Sequence, residues 1–111
     1  MKLTSLSAFA IVFLMAGSLS AQDAAQIERA KNVYVEKKCA NCHSIAGKGN
    51  KKGPMDDVGT RLSEADIRAW LTNPVEMTKK TKSDRKPAMK AGLTGADLED
   101  MVAYMLSLKK K

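Results

Sequence analysis

The sequence predicts an all-α fold in a single domain that follows a short N-terminal leader. Apolar residues recur at helical spacing in three stretches, and a helix-start pattern precedes each of them. No stretch shows the alternation typical of a half-buried strand. The chain has 111 residues, of which about 90 remain beyond the leader, enough for one domain. We therefore expect about four helices around one core.

The leader, residues 1–21, has the three parts of a cleavable secretory signal. Met1–Thr4 carries one positive charge, Leu6–Ala16 is apolar, and Gly17–Ala21 supplies the small residues found at a cleavage site. The apolar part is shorter than the ~20 residues that a membrane-spanning helix needs, and an uncleaved anchor is the alternative. We expect cleavage after Ala21, export, and a mature domain of residues 22–111.

The first helix is predicted from Ala24 to about Lys38. Asp23 is placed to cap its first free amides, and Gln26 is placed to reach back to the cap, in the spacing of a capping box. Residues 44–61 have no sustained periodicity and are punctuated by glycine and proline, which predicts a loop.

The second half of the chain is predicted to hold two further helices and a short turn. Ser63 begins a second capping box, and this helix must end before Pro74, because proline disfavours helical geometry in the residue before it. Asn73 and Pro74 can begin a short turn, with proline in the first helical position. Residues 79–90 are polar, basic and broken by proline, which predicts another loop. Thr94 opens the last helix, whose apolar stripe runs to the end of the chain.

One short motif carries the chemistry. Cys39-Ala40-Asn41-Cys42-His43 has the C-x-x-C-H spacing of covalent haem attachment. In a helical turn the two thiols project to one side, where they can reach two vinyl groups on the porphyrin edge. The imidazole of His43 then lies under the iron. The motif therefore predicts one haem c, held by thioethers from Cys39 and Cys42 and ligated by His43.

Three other interpretations of the motif are weaker. A redox dithiol of the thioredoxin type needs a βαβ context, and the sequence has none. A structural zinc site needs more ligands than the two cysteines and one histidine of this chain. A plain disulfide is compatible with an oxidising compartment but leaves the adjacent histidine without a role.

Taken with further short motifs, the chain resembles the small class I c-type cytochromes of bacteria, over essentially all of its mature part. The resemblance implies a cytochrome c-like fold, with about four helices wrapped around one covalently attached haem. It also implies that Tyr34 and Tyr104 pack where the first and last helices cross, with Ala30 where the family commonly has glycine. The motifs, in chain order, are Val33-Tyr34, Cys39-Ala40-Asn41-Cys42-His43, Lys52-Gly53-Pro54, Trp70-Leu71-Thr72-Asn73-Pro74, Pro87-Ala88-Met89 and Tyr104-Met105-Leu106-Ser107-Leu108.

The second axial ligand must come from another residue type, because the chain has one histidine. Methionine is the thioether donor that raises the reduction potential of a haem. Met101 and Met105 lie on the apolar stripe of the last helix, where core packing is the usual role, and Met55 follows the axial histidine too closely. Met77 and Met89 remain. The resemblance places the distal ligand at Met89, with Met77 as the runner-up.

Two further residues are expected around the haem, and the role of the first, Pro54, is implied by the resemblance. The backbone carbonyl of Pro54 would accept the second ring N–H of His43 and fix its tautomer, with a simple turn at Gly53-Pro54 as the alternative. Trp70 would either pack against the haem or donate its indole N–H to a propionate, and both roles stay open.

The chain is basic, with 19 Lys+Arg, 12 Asp+Glu and a formal net charge of +7. Six cations crowd the segment around Met89. We expect them near the exposed haem edge, where they would dock acidic redox proteins with salt-sensitive association, or else form a solvated loop. We expect no nucleic-acid partner, and no stable membrane span after cleavage of the leader. The six are Lys79, Lys80, Lys82, Arg85, Lys86 and Lys90.

A haem iron with two protein ligands has no open site for substrate, so we expect electron transfer and no enzyme activity of the chain itself. The predicted function is a one-electron carrier in the periplasm, cycling Fe(II)/Fe(III) with His/Met ligation. The alternative is a haem c electron-transfer subunit of a larger periplasmic oxidoreductase complex. A gas-binding sensor with a displaceable sixth ligand is a third class. No catalytic residue is predicted.

Overall fold

The computed structural model describes residues 18–90 and 92–110, with side chains from residue 24 onward. In these residues the frame consists of five α-helices, and the predicted all-α class is confirmed. A 3₁₀ turn (Cys39–Asn41) and two short strands, β1 (Ser44–Ile45) and β2 (Lys48–Gly49), lie between the first two helices. The helices are α1 (Ser18–Glu36), α2 (Val58–Arg61), α3 (Glu64–Thr72), α4 (Pro74–Thr81) and α5 (Gly95–Ser107).

Helices α1 and α5 pack against each other and form the centre of the core. Ala30 on α1 has no exposed surface, and a small side chain at such a crossing lets two helix backbones come close. Met101 and Met105 are almost completely buried on α5, as expected of packing residues. The buried cluster consists of Ala30, Val33, Val58, Ile67, Leu93, Met101, Val102, Tyr104 and Met105.

Ion pairs tie α5 to two other helices at the margin of this core. The carboxylate of Asp100, whose side chain is 8% exposed, accepts two bonds from the Arg29 guanidinium of α1, at 3.1 and 3.2 Å. Arg68 on α3 donates to both carboxylate oxygens of Glu99, at 2.6 and 3.2 Å. Planar two-bond pairs of this kind fix orientation as well as distance. They hold α5 between α1 and α3.

Helix α1 begins at Ser18, six residues before the predicted start. Asp23 therefore lies inside the helix, and its predicted role at the helix start is wrong. The reason is that residues 18–22 contain neither glycine nor proline and include good helix formers, so nothing ends the helix there. The predicted signal lies mostly outside the described residues, and its cleavage stays a prediction.

Helices α3 and α4 meet at the predicted proline. The hydroxyl of Ser63 accepts the N–H of Asp66 at 3.1 Å, as predicted, and α3 ends at Thr72. Pro74 occupies the start of α4, also as predicted. However, α4 continues to Thr81, so the loop predicted from residue 79 begins one turn later. Lys82, the residue that follows α4, has a left-handed φ of 55°.

The region predicted as the loop 44–61 contains regular structure after all. Strands β1 and β2 pair antiparallel, with Ser44 opposite Gly49, and α2 follows. Gly59 lets α2 touch the last turn of α5, since a Cβ there would meet the carbonyl of Leu106. The amide of Gly59 also donates to the Leu108 carbonyl at 2.8 Å. The end of the chain is thus fastened to the segment that follows the hairpin.

None of the helices in the described residues is long and apolar enough to span a membrane.

Candidate haem site

The Cys-x-x-Cys-His motif forms one tight helical turn, as predicted. Lys38, with a left-handed φ of 57°, separates this turn from α1. The amides of Cys42 and His43 both donate to the Cys39 carbonyl, at 3.1 and 2.9 Å. Both cysteines are unbonded thiols and half-buried. The turn therefore presents two thiols, three positions apart, on one short coil.

The environment of the thiols does not suit the competing interpretations of the motif. Burial is the main cause that raises the pKa of the Cys39 thiol, whereas a redox dithiol needs a thiolate of lowered pKa. A zinc site needs about four ligands. In the parts of the chain that the structure describes, no group of three or more His, Cys, Asp or Glu residues could hold a metal ion.

The ring of His43 is held in the tautomer that can ligate iron. Its Nδ1 lies 3.2 Å from the carbonyl oxygen of Gly53, and because a carbonyl can only accept, Nδ1 must carry the proton. The Nε2 lone pair is then free for a metal. Burial also lowers the pKa of His43, which keeps the imidazole neutral. Neutral imidazole is the form that binds metals.

The residue that accepts the hydrogen bond from His43 is Gly53. The prediction of Pro54 as the acceptor is therefore wrong. Ser44 pairs with Pro54 in a short parallel bridge: the Ser44 amide donates to Gly53 at 3.0 Å and its carbonyl accepts from Met55 at 2.8 Å. Successive carbonyls of an extended segment point to opposite sides. The Gly53 carbonyl therefore faces the histidine, and the Pro54 carbonyl points away and accepts from Arg61 at 3.3 Å.

Two glycines let the loop after the motif fold back onto it. A Cβ on Gly49 would collide with the carbonyl of His43, and a Cβ on Gly53 would collide with the carbonyl of Cys42. The Gly49 φ of 106° is a further reason for glycine at that position. The sequence shows these glycines only as loop punctuation, because the close approaches involve residues six and eleven positions away.

The structure places Arg85 differently from the sequence prediction. The sequence predicts Arg85 on an exposed docking surface together with five lysines. The five lysines are exposed. Arg85 is instead half-buried, and its Nη2 donates to the backbone carbonyl of Cys42. The guanidinium also occupies the space that a side chain on Gly53 would need. The position of Arg85 within a basic run hides this contact in the sequence.

The remaining predicted site residues lie on separate elements. Met89 is half-buried in the irregular segment between α4 and α5, whereas the runner-up Met77 is 8% exposed on α4. Trp70 is half-buried on α3. The contact between Arg85 and Cys42 links the segment of Met89 to the attachment turn. The roles of Met89 and Trp70 stay predictions.

The residues present fit a haem c. Two free thiols on one turn match covalent attachment through two thioethers. A neutral imidazole has its Nδ1 held by a backbone carbonyl, which is the usual outer contact of a metal-bound histidine. The glycines at positions 49 and 53 let the backbone close tightly around the turn that holds both groups.

Comparison with known proteins agrees with this assignment. A family model described as Cytochrome c matches residues 27–109. Among curated proteins, the chain is similar to a cytochrome c oxidase subunit 2 of Alkalihalophilus pseudofirmus, with 26% identity over 88 residues. This alignment covers 71% of the chain and 25% of that protein, so the chain spans about a quarter of the relative's length. No solved structure matches the chain.

The family match begins within α1, includes the attachment turn, the hairpin and its glycines, and ends beyond α5. Membership of this family implies that the chain binds haem c and takes part in electron transfer. With three quarters of its residues covered and a Cys-x-x-Cys-His turn built as described above, the chain belongs to the cytochrome c family.

Proposed function

We propose that this chain is a one-electron carrier in the periplasm, with a single haem c attached through Cys39 and Cys42 and ligated by His43 and Met89. The observation that carries the proposal is the His43 ring, neutral and held at Nδ1 by Gly53 at 3.2 Å. When bound, the haem supplies a reversible Fe(II)/Fe(III) couple.

Each residue has a distinct part in this function. The two thiols fix the position and orientation of the group, and the Gly53 carbonyl makes His43 a better electron donor by accepting a hydrogen bond from its Nδ1–H. A thioether from Met89 would stabilise the reduced iron and raise the reduction potential. With His43 and Met89 as its two protein ligands, the haem would have no open position for a substrate, so its chemistry would be limited to electron transfer.

Export rests on the leader. A charged end, a short apolar stretch and small residues up to Ala21 support cleavage of residues 1–21 and delivery to the periplasm.

The second candidate is a haem c subunit of a larger periplasmic oxidoreductase complex. Its support is the likeness to a protein named as a subunit of cytochrome c oxidase. A free carrier is expected to purify as a monomer. A subunit is expected to purify with a larger catalytic chain, which would reject the proposal of a freely diffusing carrier.

Met89→Ala, with Met77→Ala as its control, tests the proposed ligand set. The intact mass of the exported wild type is expected to equal the mature chain plus one haem. Met89→Ala keeps the covalent haem, with a mass equal to its own mature chain plus one haem. It loses the thioether-to-iron charge-transfer band of the ferric protein, and its reduced form binds carbon monoxide. Met77→Ala keeps the band, although removal of this buried side chain costs about 2–5 kcal/mol of stability.

The outcomes separate the parts of the proposal. A mass without haem would reject the whole function. Loss of the band in Met77→Ala with retention in Met89→Ala would move the ligand to Met77 and leave the carrier function in place.

A further inference from the structure

The contact of Arg85 with the attachment turn has no counterpart among its basic neighbours. The guanidinium Nη2 donates to the carbonyl of Cys42, 43 positions earlier in the chain. In the described residues no backbone N–H is found to donate to that carbonyl. The Cys42 and His43 amides donate to Cys39, and the Asn41 amide donates to Lys38. The guanidinium therefore supplies a donor to a carbonyl for which no backbone donor is found.

The guanidinium of Arg85 occupies space that is open because residue 53 is glycine. Its Nη1 and Cζ lie where a Cβ on Gly53 would stand, so the glycine that gives His43 its acceptor also makes room for Arg85. A hydrogen bond from a charged donor is stronger than a neutral one.

Arg85 stands four residues before Met89, in an irregular segment. The segment begins after Lys82, which follows α4. Beyond its other end, the Leu93 amide donates to the Leu71 carbonyl of α3 at 2.7 Å. Between those points, the described hydrogen bonds give the segment one link to the attachment turn, which is the bond to Cys42.

We propose that Arg85 is a positioning residue for the distal methionine. By holding the Cys42 carbonyl, Arg85 fastens the segment 83–90 to the turn that bears the haem and restricts how far the Met89 thioether can move from the iron. This inference rests on the proposed function, because it requires Met89 as ligand.

The test measures how readily imidazole replaces the thioether in the ferric, haem-loaded protein. Arg85→Ala is expected to tighten the apparent imidazole affinity about tenfold, equivalent to about 1.4 kcal/mol. Arg85→Lys keeps the charge but lacks the planar fork, so its affinity is expected between those of the alanine variant and the wild type. Lys86→Ala, the matched control, removes an exposed neighbouring charge and is expected to stay within about twofold of the wild type.

Arg85→Ala combined with Met89→Ala completes a double-mutant cycle. With the thioether gone, loss of Arg85 is expected to change the imidazole affinity by less than about twofold. An equal tightening with and without Met89 would overturn the positioning role, and so would equal shifts in Arg85→Ala and Lys86→Ala. A wild-type protein without the thioether band would instead reject the ligand assignment and this inference with it. Covalent haem mass and the urea unfolding midpoint of each variant report whether the fold is intact.

Discussion

At the scale of single residues, the Gly53 carbonyl has the largest consequence for the site. It accepts both the Ser44 amide at 3.0 Å and the His43 ring N–H at 3.2 Å. One backbone atom therefore closes the loop and sets the tautomer of the axial ligand. A change in the path of the backbone at Gly53 would therefore also change the hydrogen bond that orients the His43 ring.

Tyr34 carries a pH-dependent contribution to stability. Its hydroxyl is buried and has no partner in the described residues, and burial is the main cause that raises its pKa to about 12. An unfolded tyrosine loses its proton near pH 10. The folded state therefore keeps a proton that the unfolded state releases, so stability is complete below about pH 10 and falls as the pH rises towards 12.

Tyr34→Phe is expected to flatten this alkaline fall. Near neutral pH the variant should be as stable as the wild type or more stable by about 1 kcal/mol, because it loses an unpartnered hydroxyl. Urea unfolding between about pH 8 and 12 measures both effects. An equally steep alkaline fall in the variant would show that Tyr34 is not the responsible group.

At the scale of elements, α3 and α5 differ in how they begin. Ser63 caps α3 through its hydroxyl at 3.1 Å, whereas Thr94 stands at the start of α5 without a side-chain cap bond. We expect Ser63→Ala to lower the free energy of unfolding by about 1 kcal/mol. Thr94→Ala is the matched control and is expected to cost less. Urea unfolding of both variants gives the comparison, and equal losses would contradict the assigned cap.

The sequence predicts those elements whose signals are local. The spacing of apolar residues identifies α3 and α5, the proline position identifies the start of α4, and the Cys-x-x-Cys-His turn follows from five adjacent residues. The hairpin escapes prediction because two residues per strand are too few to show alternation. Its turn has positive φ at both Ala46 and Gly47, and alanine is an unusual choice for that conformation.

The parts of the site that escape prediction depend on distant segments coming together. Whether Gly53 or Pro54 faces His43 depends on a bridge to Ser44, ten residues away along the chain. The contact of Arg85 with Cys42 depends on the path of a segment without regular structure. In both places the amino-acid types are ordinary, and only the tertiary arrangement gives them a role.

At the scale of the whole molecule, the exposed lysines around Met89 are expected to set reactivity towards charged redox partners. Ferrocyanide, a small anion, is a suitable probe. The double change Lys82→Glu with Lys86→Glu should slow its reduction of the ferric protein about tenfold at low salt, because local positive charge steers anions. The matched control, Lys109→Glu with Lys110→Glu, changes the net charge equally at the end of the chain and should slow it less.

Stopped-flow rates over a range of ionic strength test this proposal. The difference between the two double variants should shrink as salt screens the charges. Equal rates for the two at low salt would mean that net charge alone acts and that the segment is no docking surface.

The packing of α1 on α5 also affects the order in which parts of the chain can fold. The Arg29–Asp100 pair joins positions 71 residues apart, so the core closes only when a long loop is brought together, at an entropic cost that grows with the logarithm of its length. A chain made from its N terminus has Cys39 and Cys42 in place well before α5 exists. The attachment turn lies inside this loop, so its residues are all present before α1 and α5 can pack.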